Sequence, residues 1–167
     1  DYLLILCWNI VDEVVKMAKN KETMLACIPA IQPISNKDLK HEPSGYGMRM
    51  HPIYKYSKFH SGMDFTANPG TKIYATHNGI VIAITTDQFG ALYVAVRGAS
   101  YITYYVHLLD YAPLSLFQQI SAGALVGYMD TTGFAGYSHL HYMIYDSNNR
   151  PVTSEKVNSL EAKVKKL

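Results

Sequence analysis

Short apolar runs alternate with turn residues through the middle of the chain. The runs are rich in β-branched and aromatic residues, and Pro69-Gly70, Asn78-Gly79 and Asn148-Asn149 supply turns between them. The runs lie at Lys72–Ala75, Gly79–Thr85, Leu92–Val96, Tyr101–Leu108, Ala124–Met129 and His139–Tyr145. This pattern predicts a mainly β domain, α+β overall, with an antiparallel sheet as its core.

The two ends have helical periodicity. From Asp12 to Ala26, apolar residues recur at helical spacing among Lys and Glu, which predicts an amphipathic helix that ends before Pro29. Ser154 is predicted to cap a short C-terminal helix. Its apolar stripe consists of Val157, Leu160, Val164 and Leu167. We therefore expect a helical segment at 1–32, a β-rich domain at 33–153 and a short helix or tail at 154–167.

The apolar run from Tyr2 to Val11 is too short to cross a bilayer, because a spanning helix needs about 20 apolar residues. It also lacks the basic region and cleavage site of a signal peptide. Since the chain begins with Asp1 rather than Met, we expect any export signal or membrane tether to lie upstream.

Composition narrows the class of protein. With 167 residues, 49% of them apolar and 17% charged, the chain is predicted to form one globular core. A net charge of +2 without a stripe of Lys and Arg argues against nucleic acid as a partner. The 14 tyrosines fit a β-rich domain with a groove for a polar polymer. Cys7 and Cys27 could pair in an oxidising compartment, although free thiols are the interpretation we favour.

His139 and His141 flank a single leucine in an apolar run that follows a glycine-rich turn at 131–136. Side chains alternate between the faces of a β-strand, so a spacing of two directs both imidazoles to the same face. Two imidazoles on one face are the beginning of a metal site, but an ordinary pair of strand histidines fits the pattern equally well. Any further ligands must come from elsewhere in the chain.

His60 and Asp64 are four residues apart, an even spacing that would place both on one face of an extended strand. Imidazole nitrogen and carboxylate oxygen are ligands that zinc accepts at about 2.0–2.2 Å. Two histidines and one aspartate leave a fourth position open, which is typical of catalytic rather than structural zinc. Two distant cysteines are too few for a thiolate site.

His107 lies near the end of another β-prone run. If His60, Asp64 and one of His139 and His141 bind the metal, two histidines remain for proton transfer, for which an ordinary pKa near 6.5 is suitable. Spacing alone does not decide which of His139 and His141 is the ligand. Taken by itself, His107 is as readily interpreted as a half-buried strand residue.

The order of these motifs is similar to that of the M23 zinc metallopeptidases, the lysostaphin-like or LytM-like peptidoglycan endopeptidases. The similar segments are Gly45–Ile53, His60–Asp64, Ile73–Ala75, Asn78–Val81, Tyr105–Leu108 and Thr132–His141. The resemblance covers residues 33–153 and implies a zinc peptidase domain built on an antiparallel lysostaphin-like β-sheet. The zinc ligands that it implies are His60, Asp64 and His141. The catalytic histidines that it implies are His107 and His139.

Two positions depart from the family pattern. Ala91 stands where the family usually carries Asn, and Arg97 stands where it usually carries His. Both lie outside the implied ligand and acid–base residues. We therefore expect the chemistry to be kept and the wall of the groove to differ.

The resemblance implies a zinc-dependent endopeptidase that hydrolyses peptide cross-links of bacterial peptidoglycan in the cell envelope. Zinc would acidify a water molecule, while His139 or His107 takes its proton and returns it to the leaving amine. Arg49 and Tyr54 are candidates for stabilising the oxyanion of the transition state. An ion pair at the surface is an equally good interpretation of Arg49, and an exposed position without a site role is the better one for Tyr54.

Two other functions remain open at this point. One is a non-catalytic member of the fold that binds and activates a cell-wall amidase. Such members typically lose metal ligands, and none is lost here, so the enzyme is favoured. The other is a zinc hydrolase that acts on a different class of substrate.

Overall fold

Antiparallel strands make up most of the chain between residues 47 and 146. The computed structural model describes residues 19–29, 31–50, 55–133 and 135–166. The strands are β1 (Gly47–Met50), β2 (Ser57–His60), β3 (Met63–Thr66), β4 (Lys72–Tyr74), β5 (Gly79–Thr86), β6 (Leu92–Arg97), β7 (Tyr101–Val106), β8 (Leu108–Tyr111), β9 (Gln119–Ile120), β10 (Leu125–Met129) and β11 (His139–Asp146). Helix α1 is described at 19–26, a 3-10 turn at Asn36–Asp38, and helix α2 at Ser154–Lys166. The predicted fold class is confirmed.

Within the described residues, the strands form three antiparallel sheets. The largest has the order β3-β11-β7-β6-β5-β9, a second has the order β4-β10-β8, and β1 and β2 form a hairpin. Buried residues of the two larger sheets belong to one apolar cluster, which includes Val94, Tyr105 and Leu140 from the six-stranded sheet and Ile73 and Val126 from the three-stranded sheet. Removing this apolar surface from water is the main favourable contribution to folding.

Strand β11 carries core residues and polar residues in alternation. Leu140, Tyr142 and Ile144 are buried in the apolar cluster. His139 and His141 therefore lie on the opposite face, as their spacing of two predicts. One strand thus contributes both to the core and to the polar face of the large sheet.

The run Tyr101–Leu108 was expected to be one strand, and this prediction is wrong. His107 has a φ of 67°, in the left-handed region that residues other than glycine rarely adopt. Strand β7 ends before it in the six-stranded sheet, and β8 begins after it in the three-stranded sheet. The chain changes sheets at His107, and this is why the run is interrupted there.

The expectation that His60 and Asp64 share one strand is also wrong. His60 is the last residue of β2 in the hairpin, whereas Asp64 lies on β3 in the large sheet. Gly62 in the connection passes so close to β11 that a Cβ there would lie 2.3 Å from the carbonyl oxygen of Tyr142. A glycine at this position allows the chain to leave one sheet and enter the other within two residues.

Both ends of the described chain pack against the same core. Ile28, directly after α1, is buried in the apolar cluster, and so are Val157 and Val164 of α2. The Nζ atom of Lys21 donates a hydrogen bond to the carbonyl oxygen of Lys165 at 2.8 Å, which connects the two helices. The part of the predicted N-terminal helix before residue 19 lies outside the described residues.

The start of α2 differs by one residue from the prediction. The Oγ1 atom of Thr153 accepts a hydrogen bond from the backbone N–H of Lys156 at 3.3 Å, so Thr153 is the cap. Ser154 is the first helical residue, and its hydroxyl contacts the sulfur of Met63. Leu160 is exposed rather than on the buried stripe.

The cysteines and the possibility of a membrane-spanning helix were also considered from the sequence. Cys27 is a half-buried free thiol, and Cys7 lies outside the described residues. Among the helices of the described residues, none has the length and apolar character needed to span a membrane.

Candidate metal centre

Three side-chain atoms from three strands converge on the polar face of the six-stranded sheet. The Nε2 atom of His60 lies 3.1 Å from Oδ1 of Asp64 and 3.1 Å from Nδ1 of His141. The same Nδ1 lies 2.8 Å from Oδ1 of Asp64. Asp64 and His141 are direct partners in the β3–β11 pairing, and His60 reaches them from the end of β2.

These donor atoms fit a zinc ion. The Nδ1–H of His60 donates to the carbonyl oxygen of Gly45 at 2.8 Å, which directs Nε2 toward the other two donor atoms, where it can bind a metal once it carries no proton. Two ring nitrogens and one carboxylate oxygen within 4.8 Å of one another match the borderline ligands that zinc prefers. Three protein donors would leave one position on a four-coordinate zinc for a water molecule or a substrate.

Asp64 uses its two oxygens differently. While Oδ1 faces the two histidines, Oδ2 accepts a hydrogen bond from Nη2 of Arg49 at 2.6 Å. Nη1 of Arg49 is hydrogen-bonded to Oγ of Ser44. The backbones of Ser44 and Asp64 exchange two hydrogen bonds of 3.0 Å. The carboxylate is therefore fixed in position from both its backbone and its side chain.

The charge state of Asp64 follows from these contacts. Burial acts to raise the pKa of the carboxyl group, but the hydrogen bonds and positive charge of His141 and His60 outweigh it and lower that pKa well below its ordinary value. The group is therefore a carboxylate throughout the neutral range, as a metal ligand must be.

His139 and His107 lie next to the three donors with their rings together. Their ring centroids are 4.6 Å apart, and Nε2 of His139 lies 3.9 Å from Oδ1 of Asp64. The Nδ1–H of His139 donates to the carbonyl oxygen of Tyr137 at 2.9 Å, and that of His107 donates to the carbonyl oxygen of Thr132 at 2.6 Å. Each ring therefore has its Nε2 free to accept a proton.

Burial lowers the pKa of His107 below its ordinary value, and this effect exceeds that of the hydrogen bond to Thr132, which raises it. His107 is consequently neutral near pH 7. A neutral imidazole with a free nitrogen is suited to act as a proton acceptor.

The structure thus brings together the five residues of the predicted site: His60, Asp64, His107, His139 and His141. It places Arg49 against Asp64. An ion pair was one of the two interpretations of Arg49 that the sequence allowed. Tyr54 lies outside the described residues. The individual roles of these residues remain predictions.

The groups that orient the ligands were not predicted from the sequence. Ser44 was not singled out, because nothing in the sequence indicates its contact with Arg49. The carbonyl oxygens of Gly45, Thr132 and Tyr137 each accept the Nδ1–H of one histidine. Backbone acceptors have no signal in the sequence, since every residue carries one.

Known proteins share this fold and these motifs. The pattern of peptidase family M23 matches residues 58–154. The peptidoglycan DD-endopeptidase ShyA of Vibrio cholerae is 32% identical over 111 residues, which are 66% of this chain and 25% of ShyA. The chain belongs to peptidase family M23, and the predicted family is confirmed. The chain spans about a quarter of the length of the curated relatives that it matches.

Solved structures agree with the family assignment. A zinc-containing peptidase from Vibrio cholerae superposes with a TM-score of 0.64 at 28% identity, covering 74% of this chain and 38% of that one. The catalytic domain of lysostaphin from Staphylococcus simulans has a TM-score of 0.57 at 22% identity, covering 70% of this chain and 86% of that one. The second likeness concerns the fold, and it confirms the predicted lysostaphin-like architecture.

Proposed function

We propose that this chain is a zinc-dependent metalloendopeptidase that hydrolyses peptide cross-links of bacterial peptidoglycan. The observation that carries the proposal is the convergence of Nε2 of His60, Oδ1 of Asp64 and Nδ1 of His141 beside two histidines with free nitrogens. A related protein named as a peptidoglycan DD-endopeptidase supports the choice of substrate.

His60, Asp64 and His141 would hold the zinc ion, and Arg49 would orient Asp64. Zinc held there would lower the pKa of a water molecule toward about 7 and polarise the carbonyl group of the substrate. The three donors lie on the polar face of the sheet, so an extended peptide can approach them. His141 is half-buried, whereas His60 and Asp64 are buried.

His139 and His107 would move the proton. Hydrolysis transfers a proton from the attacking water to a base and then to the amide nitrogen, whose bond to the carbonyl carbon breaks. The Nε2 atom of His139 is free and lies close to the ligand cluster, so we assign it the first proton. His107 adjoins His139, and because its lowered pKa keeps it neutral, we assign it as the alternative base for the same proton.

We place the peptidase domain at residues 33–153, with segments 1–32 and 154–167 as accessory elements. All strands of the described residues lie within the central range. Because α2 buries Val157 and Val164 in the core of the domain, we assign this helix a stabilising role.

The substrate determines the location of the protein. Peptidoglycan lies outside the cytoplasmic membrane, so we propose that the protein works in the cell envelope. Fractionation of producing cells should recover it with the envelope. Release by salt would indicate a free enzyme, and release only by detergent would indicate a membrane tether.

Digestion of defined cross-linked muropeptides tests the proposed activity. The wild-type protein should contain about one zinc ion and release monomeric peptides that mass spectrometry identifies. Asp64→Asn keeps the size of the side chain but weakens the ligand, and it should lose both metal and activity. Asp38→Asn, at an exposed position in the 3-10 turn, is the matched control.

Bound zinc with intact cross-links would contradict the proposal. That result would favour the non-catalytic regulator. Cleavage of a different bond type would identify a hydrolase with another class of substrate.

A further inference from the structure

A cavity of about 430 Å³ opens beside His139 at the edge of the six-stranded sheet. It is lined by Lys40, His41, Thr66, Ala67, Tyr137 and Ser138. Thr66 is the direct partner of His139 in the β3–β11 pairing, and the ring of Tyr137 lies 4.8 Å from that of His139. The cavity therefore adjoins the residues that we assign to proton transfer.

The cavity also lies within the electrostatic reach of the ligand cluster. Burial raises the pKa of Tyr137, the charge of Asp64 raises it further, and the charge of Arg49 lowers it. A group bound in the cavity would thus be next to the metal centre. It would not lie in a separate part of the molecule.

The lining of the cavity has basic groups and no carboxylate. Lys40 is held at the edge of β3, because its backbone N–H donates to the carbonyl oxygen of Thr66 at 2.9 Å. Within the described part of the chain, the ammonium group of Lys40 has no carboxylate partner. Its charge is therefore available to a ligand, and His41 adds a second nitrogen-bearing side chain.

The hydroxyl group of Ser138 gives an independent sign of a missing partner. Its Oγ atom is buried and has no hydrogen-bond partner among the described residues. Buried hydroxyl groups are normally hydrogen-bonded, because losing water without gaining a partner is unfavourable. Ser138 lines the cavity, and rotation about its Cα–Cβ bond can bring this hydroxyl to an acceptor atom bound there.

We propose that this cavity is a subsite that binds a free carboxylate of the peptidoglycan peptide next to the cleaved bond. This inference rests on the proposed function and specifies which substrates the site prefers. A carboxylate only accepts hydrogen bonds, and Lys40 and Ser138 can both donate to it. The subsite favours cross-links with a free acid group over the same cross-links with that group amidated.

Two forms of one substrate test this subsite. A cross-linked muropeptide is prepared with its free carboxylates intact or amidated, and KM and kcat are measured for both. We expect a lower KM for the free acid. Lys40→Gln should reduce this preference about tenfold, the effect of losing one charge-assisted hydrogen bond. Lys72→Gln, an exposed lysine on the three-stranded sheet, should leave the preference unchanged.

Ser138→Ala separates binding from stability. Removing a buried hydroxyl that has no partner should leave the melting temperature unchanged or higher. The same variant should raise KM for the free acid but not for the amide. A lower melting temperature with an unchanged KM would show that Ser138 has only a structural role.

Substrates amidated at single positions identify which carboxylate is bound. If amidation of the C-terminal group alone removes the preference, the subsite binds a terminal carboxylate. If amidation of a side-chain group alone removes it, the subsite binds that side chain. Equal KM values for all forms in both wild-type protein and Lys40→Gln would overturn the proposal.

Binding measurements distinguish a failure of this inference from a failure of the proposed function. Titration calorimetry with the chelator-treated protein and the two peptides needs no hydrolysis. Preferred binding of the free acid in this experiment, together with no cleavage by the zinc-loaded protein, would support the subsite and reject the peptidase. Cleavage of both forms without any preference in binding would support the peptidase and reject the subsite.

Discussion

Nη2 of Arg49 lies 2.6 Å from Oδ2 of Asp64, while Oδ1 of the same carboxylate faces His60 and His141. The two oxygens thus have different partners, so Asp64 is expected to bind a metal through one oxygen. Arg49 also balances the charge of a carboxylate whose side chain is only 4% exposed. This contact favours a positioning role for Arg49 rather than direct contact with the transition state.

Replacing Arg49 should weaken metal binding. Arg49→Gln removes the fixed partner of Oδ2, and we expect zinc affinity to fall about 10- to 100-fold, as for other groups that orient metal ligands. Arg49→Lys should be intermediate, since it keeps the charge but loses the two-pronged contact with Asp64 and Ser44. Competition with a chromogenic chelator measures the affinity.

Arg150→Gln is the control for charge, because Arg150 is exposed and pairs with Asp146. It should bind zinc as the wild-type protein does. Unchanged zinc affinity in Arg49→Gln together with a reduced kcat would instead indicate that Arg49 acts on the substrate.

Replacing either proton-transfer histidine should slow the reaction without removing the metal. For His139→Ala and His107→Ala, we expect zinc to stay bound and kcat to fall about 10²- to 10⁴-fold, the usual contribution of general acid–base catalysis. Metal analysis and steady-state kinetics on the same preparation measure both quantities. Loss of zinc from His139→Ala would show that His139 is a ligand.

Stability should depend on pH through His77, a histidine in the interior of the protein. His77 is fully buried between the carbonyl oxygen of Asn78 and the hydroxyl of Thr103, and burial lowers its pKa below the ordinary value of 6.5. The unfolded chain therefore binds this proton more readily than the folded one. The contribution of His77 to the free energy of unfolding is therefore fully present above pH 6.5. It is lost as the pH decreases below that value.

Urea denaturation between pH 8 and pH 5 measures this dependence. His77→Gln should make the curve shallower, although His107 has a lowered pKa as well and contributes in the same direction. Asp64 acts in a separate range, because its lowered pKa affects stability only below its ordinary value of 3.8. An unchanged curve for His77→Gln would contradict the assignment.

Removing zinc should destabilise the fold. The three donors lie on β2, β3 and β11, so a bound ion joins the β1–β2 hairpin to the large sheet. A metal present at 100 times its Kd stabilises the folded state by about 2.7 kcal/mol. Calorimetry should show a lower melting temperature after chelation and recovery with Zn²⁺ but not with Mg²⁺. His60→Ala should show no such shift, and a similar shift in this variant would exclude His60 as a ligand.

The sequence predicted the site best where local periodicity decides the geometry. His139 and His141 lie on one strand, and a period of two is sufficient to place both rings on one face. The same reasoning was wrong for His60 and Asp64, because their convergence depends on a change of sheets at Gly62. That change results from long-range packing against β11.

Other features were beyond prediction from the sequence for similar reasons. The left-handed conformation of His107 occurs where the chain passes between two sheets, and nothing in the sequence marks that point. The contact between Arg49 and Asp64 joins residues of different sheets, and no spacing rule covers it. The ordering of the strands in the sheets likewise depends on which apolar faces meet in the core.

The position of His107 between two sheets links the interior of the protein to its reactivity. Its neighbour Leu108 is completely buried, so the imidazole stands on a backbone whose next side chain is fixed by the core. A void made beneath it, for instance by Leu108→Ala, would allow this backbone to relax and the ring to turn away from His139. Such a variant would retain its zinc but have a lower kcat. Its defect would be a misaligned His107 ring, caused by a change in the buried core.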